Sequence, residues 1–259
     1  MTIKSILLKF IKKDSYVYNI LSIIKNSYNL FRKLQILKFY KYSFLLLPKI
    51  IKSQIITKLN YNLDLLTEKK KFFNRKYQFT YSDWFSQNIP IWDIFIKDIE
   101  NINYLEIGSF EGRSLLYISE LDNCKSAHGV DTFEGSDEHL AINFQTVFEN
   151  FKSNLNLIKK KNISYSKLDS DSFFKGNNSK FNLIYIDGSH EYEDVKKDFI
   201  NALECLQNNG YIIFDDFVWS FYDDVQRNPM NAIMQCYIKY NFCLKIIYFN
   251  RQVILQKKI

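Results

Sequence analysis

The 259-residue chain is 47% hydrophobic and 17% aromatic, which excludes a largely disordered protein because its apolar surface is ample to offset the entropy of ordering. Its length suits one α/β core with an added helical segment better than two full domains. The net charge of +7 is unevenly spread: residues 1–80 carry 17 Lys/Arg against 3 Asp/Glu, whereas residues 81–259 carry 18 against 25.

From Met1 to about Gln78 there is no glycine, and apolar residues recur at helical spacing: Ile3, Ile6, Leu7, Phe10 and Ile11, then Ile20, Ile24, Phe31 and Leu34. Residues 1–80 are therefore expected to be a basic, helical N-terminal extension. Lys4, Lys9, Lys12 and Lys13 border the first apolar stripe, a pattern shared by helices that pack on a domain and by helices that lie on anionic membranes. Packing is the first reading, and peripheral membrane contact is left open. The run from Ser43 to Ile51 is too short to span a bilayer and contains Pro48 and Lys49. The N-terminus has no small-residue cleavage site, so no secretory signal is expected. Cys124, Cys205, Cys236 and Cys243 lack C-x-x-C spacing, which predicts reduced, buried thiols in a cytoplasmic protein.

After Tyr81 short β-rich runs alternate with helical stretches, the pattern of a mostly parallel sheet covered on both faces. Strands are predicted at Asn103–Ile107, Ala127–Asp131, Ile163–Leu168, Asn182–Asp187 and Tyr211–Asp215. A closing pair, Cys243–Phe249 and Gln252–Gln256, is joined by a tight Asn250-Arg251 connection and gives seven strands with an antiparallel edge. Helices are predicted at Arg113–Leu121 and Glu191–Leu206; the second carries the apolar stripe Val195, Phe199, Ala202, Leu203 and Leu206.

In such a sheet, ligands sit beyond the carboxyl ends of the strands. The first strand ends in Glu106-Ile107-Gly108-Ser109-Phe110-Glu111-Gly112, where Gly108 permits a tight turn and Gly112 would let backbone approach a ligand at the helix start. The dinucleotide fingerprint G-x-G-x-x-G is absent, which argues against a pyrophosphate cradle. Asp131 ends the second strand about twenty residues on, where a carboxylate accepts ribose hydroxyls; a turn cap is the alternative, since Thr132-Phe133-Glu134-Gly135 is turn-like. Ser170 and Asp171 follow the third strand, where an adenine edge would be met, with Phe133 available for stacking.

The fourth and fifth strands end in Asp187-Gly188-Ser189-His190 and Asp215-Asp216. If these strands are neighbours, three acids crowd one place, which a divalent metal relieves: Mg²⁺ first, Mn²⁺ second. His190 faces the same space and in its neutral form would take a proton from a hydroxyl. The alternative is that Asp187 and His190 cap the following helix and that Asp215 and Asp216 merely end a strand.

Taken together, YLEIGSFEGRS, VDTFEGSDEH, FNLIYIDGSHEYEDVKKD and GYIIFDDF resemble the class I S-adenosylmethionine (SAM) dependent methyltransferases, and within them the D-G-x-H subgroup with metal-dependent sugar O-methyltransferases. The resemblance covers Tyr81 to the C-terminus; DWFSQNIPIWD is similar to the segment preceding the glycine motif in bacterial relatives. It implies a Rossmann-like domain over residues 81–259. Glu106, Gly108, Ser109 and Gly112 would hold the amino-acid end of SAM, Asp131 with Thr132 and Phe133 its ribose region, and Ser170 with Asp171 its adenine. Asp187, Asp215 and Asp216 would be metal ligands, with His190 as general base for methyl transfer to a hydroxyl. Catechol-type relatives carry Lys at the position of His190 and Asn at that of Asp216, so a sugar or other small hydroxylated acceptor is expected. The open alternatives are a metal-independent SAM enzyme and a nucleoside-binding scaffold attached through the basic helices. A homo-oligomer is also left open, whereas the acidic catalytic half argues against a nucleic-acid partner.

Overall fold

The computed structural model describes residues 16–60, 63–136, 139, 141–159, 162–219 and 222–259. The apolar spacing predicted around Ile3 to Ile11 lies outside them. The N-terminal part forms helices α1 (Tyr16–Ile36), α2 (Tyr40–Asn60) and α3 (Leu63–Lys76). The first two make an antiparallel hairpin: Phe31 and Phe44 meet edge to face at 5.2 Å, and Lys58 lies 5.7 Å over the Tyr18 ring. Lys38 turns the connector with φ +62°.

The sheet contains β1 (Ile102–Ile107), β2 (Cys124–Asp131), β3 (Ile163–Lys167), β4 (Phe181–Ile186), β5 (Leu206–Phe214), β6 (Leu244–Phe249) and β7 (Val253–Lys257). Between and around them lie α4 (Ile89–Ile96), α5 (Arg113–Glu120), α6 (Phe144–Asn156), α7 (Ser170–Gly176), α8 (Tyr192–Cys205) and α9 (Pro229–Tyr240). The strand order is β3-β2-β1-β4-β5-β7-β6, parallel from β3 to β5, with β7 antiparallel to both β5 and β6. The expected seven-stranded Rossmann-like architecture is thus present, and antiparallel pairing is confined to the β7 end.

Strand periodicity builds both cores. Leu105, Ile107, Ile184, Ile186, Ile212 and Phe214 face α8, α9 and the N-terminal hairpin, whose Leu34 and Ile50 are fully buried in the same cluster. Tyr104, Leu183, Tyr185 and Ile213 face the other way, against Trp92 of α4, Leu115 of α5 and Phe151 of α6. Gln207 to Gly210 form an irregularity inside β5, where pairing skips from Leu206 to Tyr211 and Asn209 takes φ +61°. Cys124, Cys205 and Cys236 are buried free thiols, and Cys243 is free and half-buried. No described helix is long and apolar enough to cross a membrane.

Candidate active site

The order reverses between β1 and β4, so a crevice is expected beyond their carboxyl ends. A cleft of about 900 Å³ lies there, within the ~300–1,000 Å³ typical of small-molecule sites. Its walls include Gly108, Asp131, Thr132, Ser170, Asp171, Asp187, His190, Asp215 and Asp216. Four other residues expected at the site, Glu106, Ser109, Gly112 and Phe133, are not on the wall.

The reasons are local. Glu106 alternates to the α4/α5 side of β1, where it is fully buried and accepts from Tyr104 Oη at 2.6 Å. Burial raises its carboxyl to about 7. Gly112 takes φ +85° at the N-terminus of α5, and a side chain there would press on Phe151, so the turn and the core both call for glycine. Phe133, with φ +54°, swings inward against Phe148 and Phe151 at 4.6 and 4.9 Å and cannot stack in the cleft. Its backbone N–H instead donates to Asp131 Oδ1 at 2.6 Å, while Phe110 N–H donates to Oδ2 at 2.8 Å. Burial raises the Asp131 carboxyl, and these backbone donors oppose the rise. Ser109 N–H is a third backbone donor, which leaves one of the carboxylate's four lone pairs for an incoming hydroxyl.

At the other end, register places Ile186 opposite Phe214, so β4 and β5 deliver their terminal acids side by side. Burial first, then the nearby acids, push the Asp187 and Asp215 carboxyls upward. Tyr185 Oη lies between them, 2.9 Å from Asp187 Oδ2 and in short contact with Asp215 Oδ2. One phenolic hydrogen serves only one carboxylate, so the second contact calls for a proton or a cation on the pair.

Asp215 and Asp216 diverge. Asp216 has φ +47°, a left-handed conformation that short acidic side chains tolerate better than most. Asp215 Oδ2 turns to Gln252 Nε2 (2.9 Å) and Asn88 Nδ2 (3.2 Å), and Gln252 is itself fixed by Trp92 Nε1 at 2.9 Å. Asp216 Oδ2 turns to His190 Nε2 at 3.2 Å. Asp187, His190 and Asp216 therefore bring ligand-type atoms within 4.8 Å of one another. Asp215, expected as a third ligand, lies outside that cluster: its Oδ2 takes amide and phenol donors, and its Oδ1 accepts from Asp216 N–H at 2.8 Å. A capping role for Asp187 or His190 is not seen: Ser189 Oγ accepts from Glu191 N–H at 3.2 Å and donates to Asp194 at 2.9 Å at the start of α8.

Ser170 and Asp171 reach the opposite wall at the start of α7, whose cap is Asp169, accepting from Ser172 N–H at 2.7 Å. Asp171 pairs with Lys197 at 3.2 Å. Sequence reasoning missed Asp198, a buried wall residue of α8 whose Oδ1 has no hydrogen-bond partner. It also missed Tyr185, Asn88 and Gln252. The signal for Tyr185 was its place two residues before Asp187 on a strand, hence on the same side, with a buried hydroxyl in need of a partner.

Burial raises Asp198 from 3.8 to about 7. In the unfolded chain it ionises from about pH 4, so the unfolded state releases its proton first, and stability falls as pH rises through roughly 4 to 7 before levelling. Three units at about 1.4 kcal/mol each bound this loss at about 4 kcal/mol. Asp198→Asn is expected to flatten that slope, measured by urea unfolding of both proteins at pH 5 and pH 8. An unchanged difference between the two pH values would show that Asp198 does not contribute.

Comparison with known proteins agrees with this geometry. Residues 105–217 match a family described as a methyltransferase domain. An uncharacterized protein of Acanthamoeba polyphaga mimivirus is 33% identical over 128 residues, 48% of this chain and 54% of its own, so the chain spans about half the length of that relative. Among solved structures, an O-methyltransferase from Bacillus cereus in complex with SAH superposes with a TM-score of 0.51 at 15% identity, covering 80% of this chain and 96% of that one. The MycE methyltransferase of mycinamycin biosynthesis, in complex with Mg, SAH and mycinamycin VI, superposes at 0.52 and 15% identity, covering 77% and 56%. Sheet order and crevice thus show the Rossmann-like fold of these structures, and the match to the methyltransferase-domain family falls on residues 105–217, the part that builds the cleft.

Proposed function

We propose that this chain transfers a methyl group from SAM to a hydroxyl of a sugar or other small hydroxylated metabolite, with a divalent cation at Asp187 and Asp216 and with His190 as the base. The observation that carries this reading is the meeting of Asp187, His190 and Asp216 within 4.8 Å in the same cleft as Asp131. Nucleoside binding is supported at the far wall: Asp131 keeps a free lone pair for a ribose hydroxyl, while Ser170, Asp171 and Asp198 offer polar atoms to the base.

The donor set suits a hard cation. Two carboxylates offer oxygen ligands, and positive charge between them would offset the burial, and then the repulsion by neighbouring acids, that raise Asp187. Mg²⁺, or Mn²⁺ in its place, would supply Lewis-acid polarisation of the acceptor oxygen when bound. His190, oriented by Asp216, would accept the acceptor's proton, and SAM when bound would supply the methyl group to the freed oxygen, its carbon–sulfur bond breaking to release S-adenosylhomocysteine. Asp215 acts as a positioning residue, holding Tyr185 against Asp187 through its own amide contacts.

Calorimetric titration of the full chain with SAM, followed by a mass-shift assay over sugar acceptors with and without chelator, tests the reading. SAM is expected to bind, Asp131→Ala to weaken that binding by about tenfold or more, and chelator to abolish turnover until Mg²⁺ is restored. Turnover that survives chelation would leave His190 acting without metal. Absence of SAM binding would overturn the whole reading.

A further inference from the structure

We propose that the outward face of the α1–α2 hairpin is a docking surface for an anionic phospholipid bilayer. On α2, Phe44, Pro48, Ile51, Ile55 and Leu59 follow one another at three- and four-residue steps and are all exposed, Phe44 by 65% and Leu59 by 79%. Ile20 and Ile24 lie on the antiparallel partner at the level of Ile55 and Ile51, and the Phe31–Phe44 ring contact joins the two stripes. The face is not an unfinished core, because the opposite side of the hairpin is already packed: Leu34, Leu46 and Ile50 are buried against the sheet domain. Of the 19 large hydrophobic side chains exposed among the described residues, 10 lie in this hairpin, a concentration that marks an interaction surface and not scattered exposure.

Charge selects the occupant. Residues 16–60 contain eight Lys/Arg and no Asp or Glu. Exposed Lys25 and Lys52 stand beside Ile24 and Ile51, and Arg32, Lys41 and Lys58 are exposed along the same two helices. A second copy of the chain would set two such cationic faces against each other. A bilayer containing acidic lipids instead accepts the apolar stripe among its acyl chains and the lysines at its headgroups, the arrangement of an interfacial amphipathic element. None of the described helices is long and apolar enough to span, so the hairpin would engage the bilayer at its interface. The hairpin also reaches the cleft: Lys33 Nζ donates to Val218 O at 2.7 Å, one residue before Trp219, whose ring stands 5.4 Å from that of His190.

Flotation of the full chain with phosphatidylcholine vesicles, with and without phosphatidylserine, tests the proposal and is independent of methyl transfer. Binding is expected to the serine-containing vesicles, at least about tenfold tighter than to phosphatidylcholine alone, and to fall with added salt. Phe44→Asp with Ile55→Asp is expected to remove it. Lys25→Glu with Lys52→Glu, which alters only exposed ends and should leave the melting curve unchanged, is expected to weaken it by more than about tenfold, since each lysine near an acidic surface contributes about fivefold. No recruitment to either vesicle, or recruitment unchanged in folded variants, would overturn the proposal. So would a dimer in solution that the Phe44/Ile55 variant dissociates, or selective capture of poly-glutamate without vesicle binding, which would assign the face to a second copy or to an acidic protein.

Discussion

His190→Gln is expected to lower kcat by about 10²- to 10⁴-fold, the range that a positioned general base contributes, while SAM affinity stays within about twofold. Glutamine retains a donor for Asp216 and comparable bulk but cannot take a proton at neutral pH. The loss should therefore appear in kcat with little change in KM for the acceptor, because the interaction removed belongs to the transition state. Initial rates at saturating SAM, paired with calorimetric SAM titration of the variant, separate the two quantities. A kcat within tenfold of the parent would move the proton transfer to another group; a collapse of SAM affinity would mean that His190 shapes the cofactor side of the cleft.

Gly108→Ala is expected to be the most damaging small substitution in the chain. Gly108 holds φ +88°, and a methyl group built there would lie 2.0 Å from the backbone oxygen of Asp187 and 2.8 Å from Gly188 Cα. Neither atom belongs to a flexible side chain that could move aside. Relief would require β1 and β4 to separate at the point where Asp187 N–H donates to Ile107 O at 2.8 Å. Backbone strain and lost packing together predict at least about 3 kcal/mol of destabilisation. For a domain of this size that corresponds to a fall in Tm of roughly 6–12 °C. Thermal denaturation checks the magnitude, and SAM titration of the folded fraction checks the site. A variant with parental Tm would show that the β1–β4 junction is slack.

The contrast between Gly108 and Phe133 shows what the sequence could and could not reveal. Strand identity was legible because β-branched and aromatic residues alternate with a period of two, and β1, β3 and β4 lie within about a residue of their expected bounds. The polar opening of β2, Cys124-Lys125-Ser126, and the irregular opening of β5 carried no such signal. That Asp187, His190 and Asp216 share a sheet end was legible from strand-terminal position alone. The separation of Asp215 from Asp216 was not, because it rests on one left-handed residue and on Asn88 and Gln252, 127 and 37 positions away. Phe133 shows the same gap: a turn-like sequence places the residue, but its backbone angle decides whether the ring enters the cleft or the core.

The insertion of β7 between β5 and β6 has a consequence for how the molecule comes into being. Asp215 is held by Gln252, the residue just before β7, and β7 pairs with β5 over Tyr211 to Phe214. A ribosome therefore finishes β1 to β3 long before the carboxylate cluster can be braced, and until β7 is made Asp215 has the Asn88 amide but not that of Gln252. The carboxylate cluster reaches its braced arrangement only after β7 has left the ribosome and paired with β5.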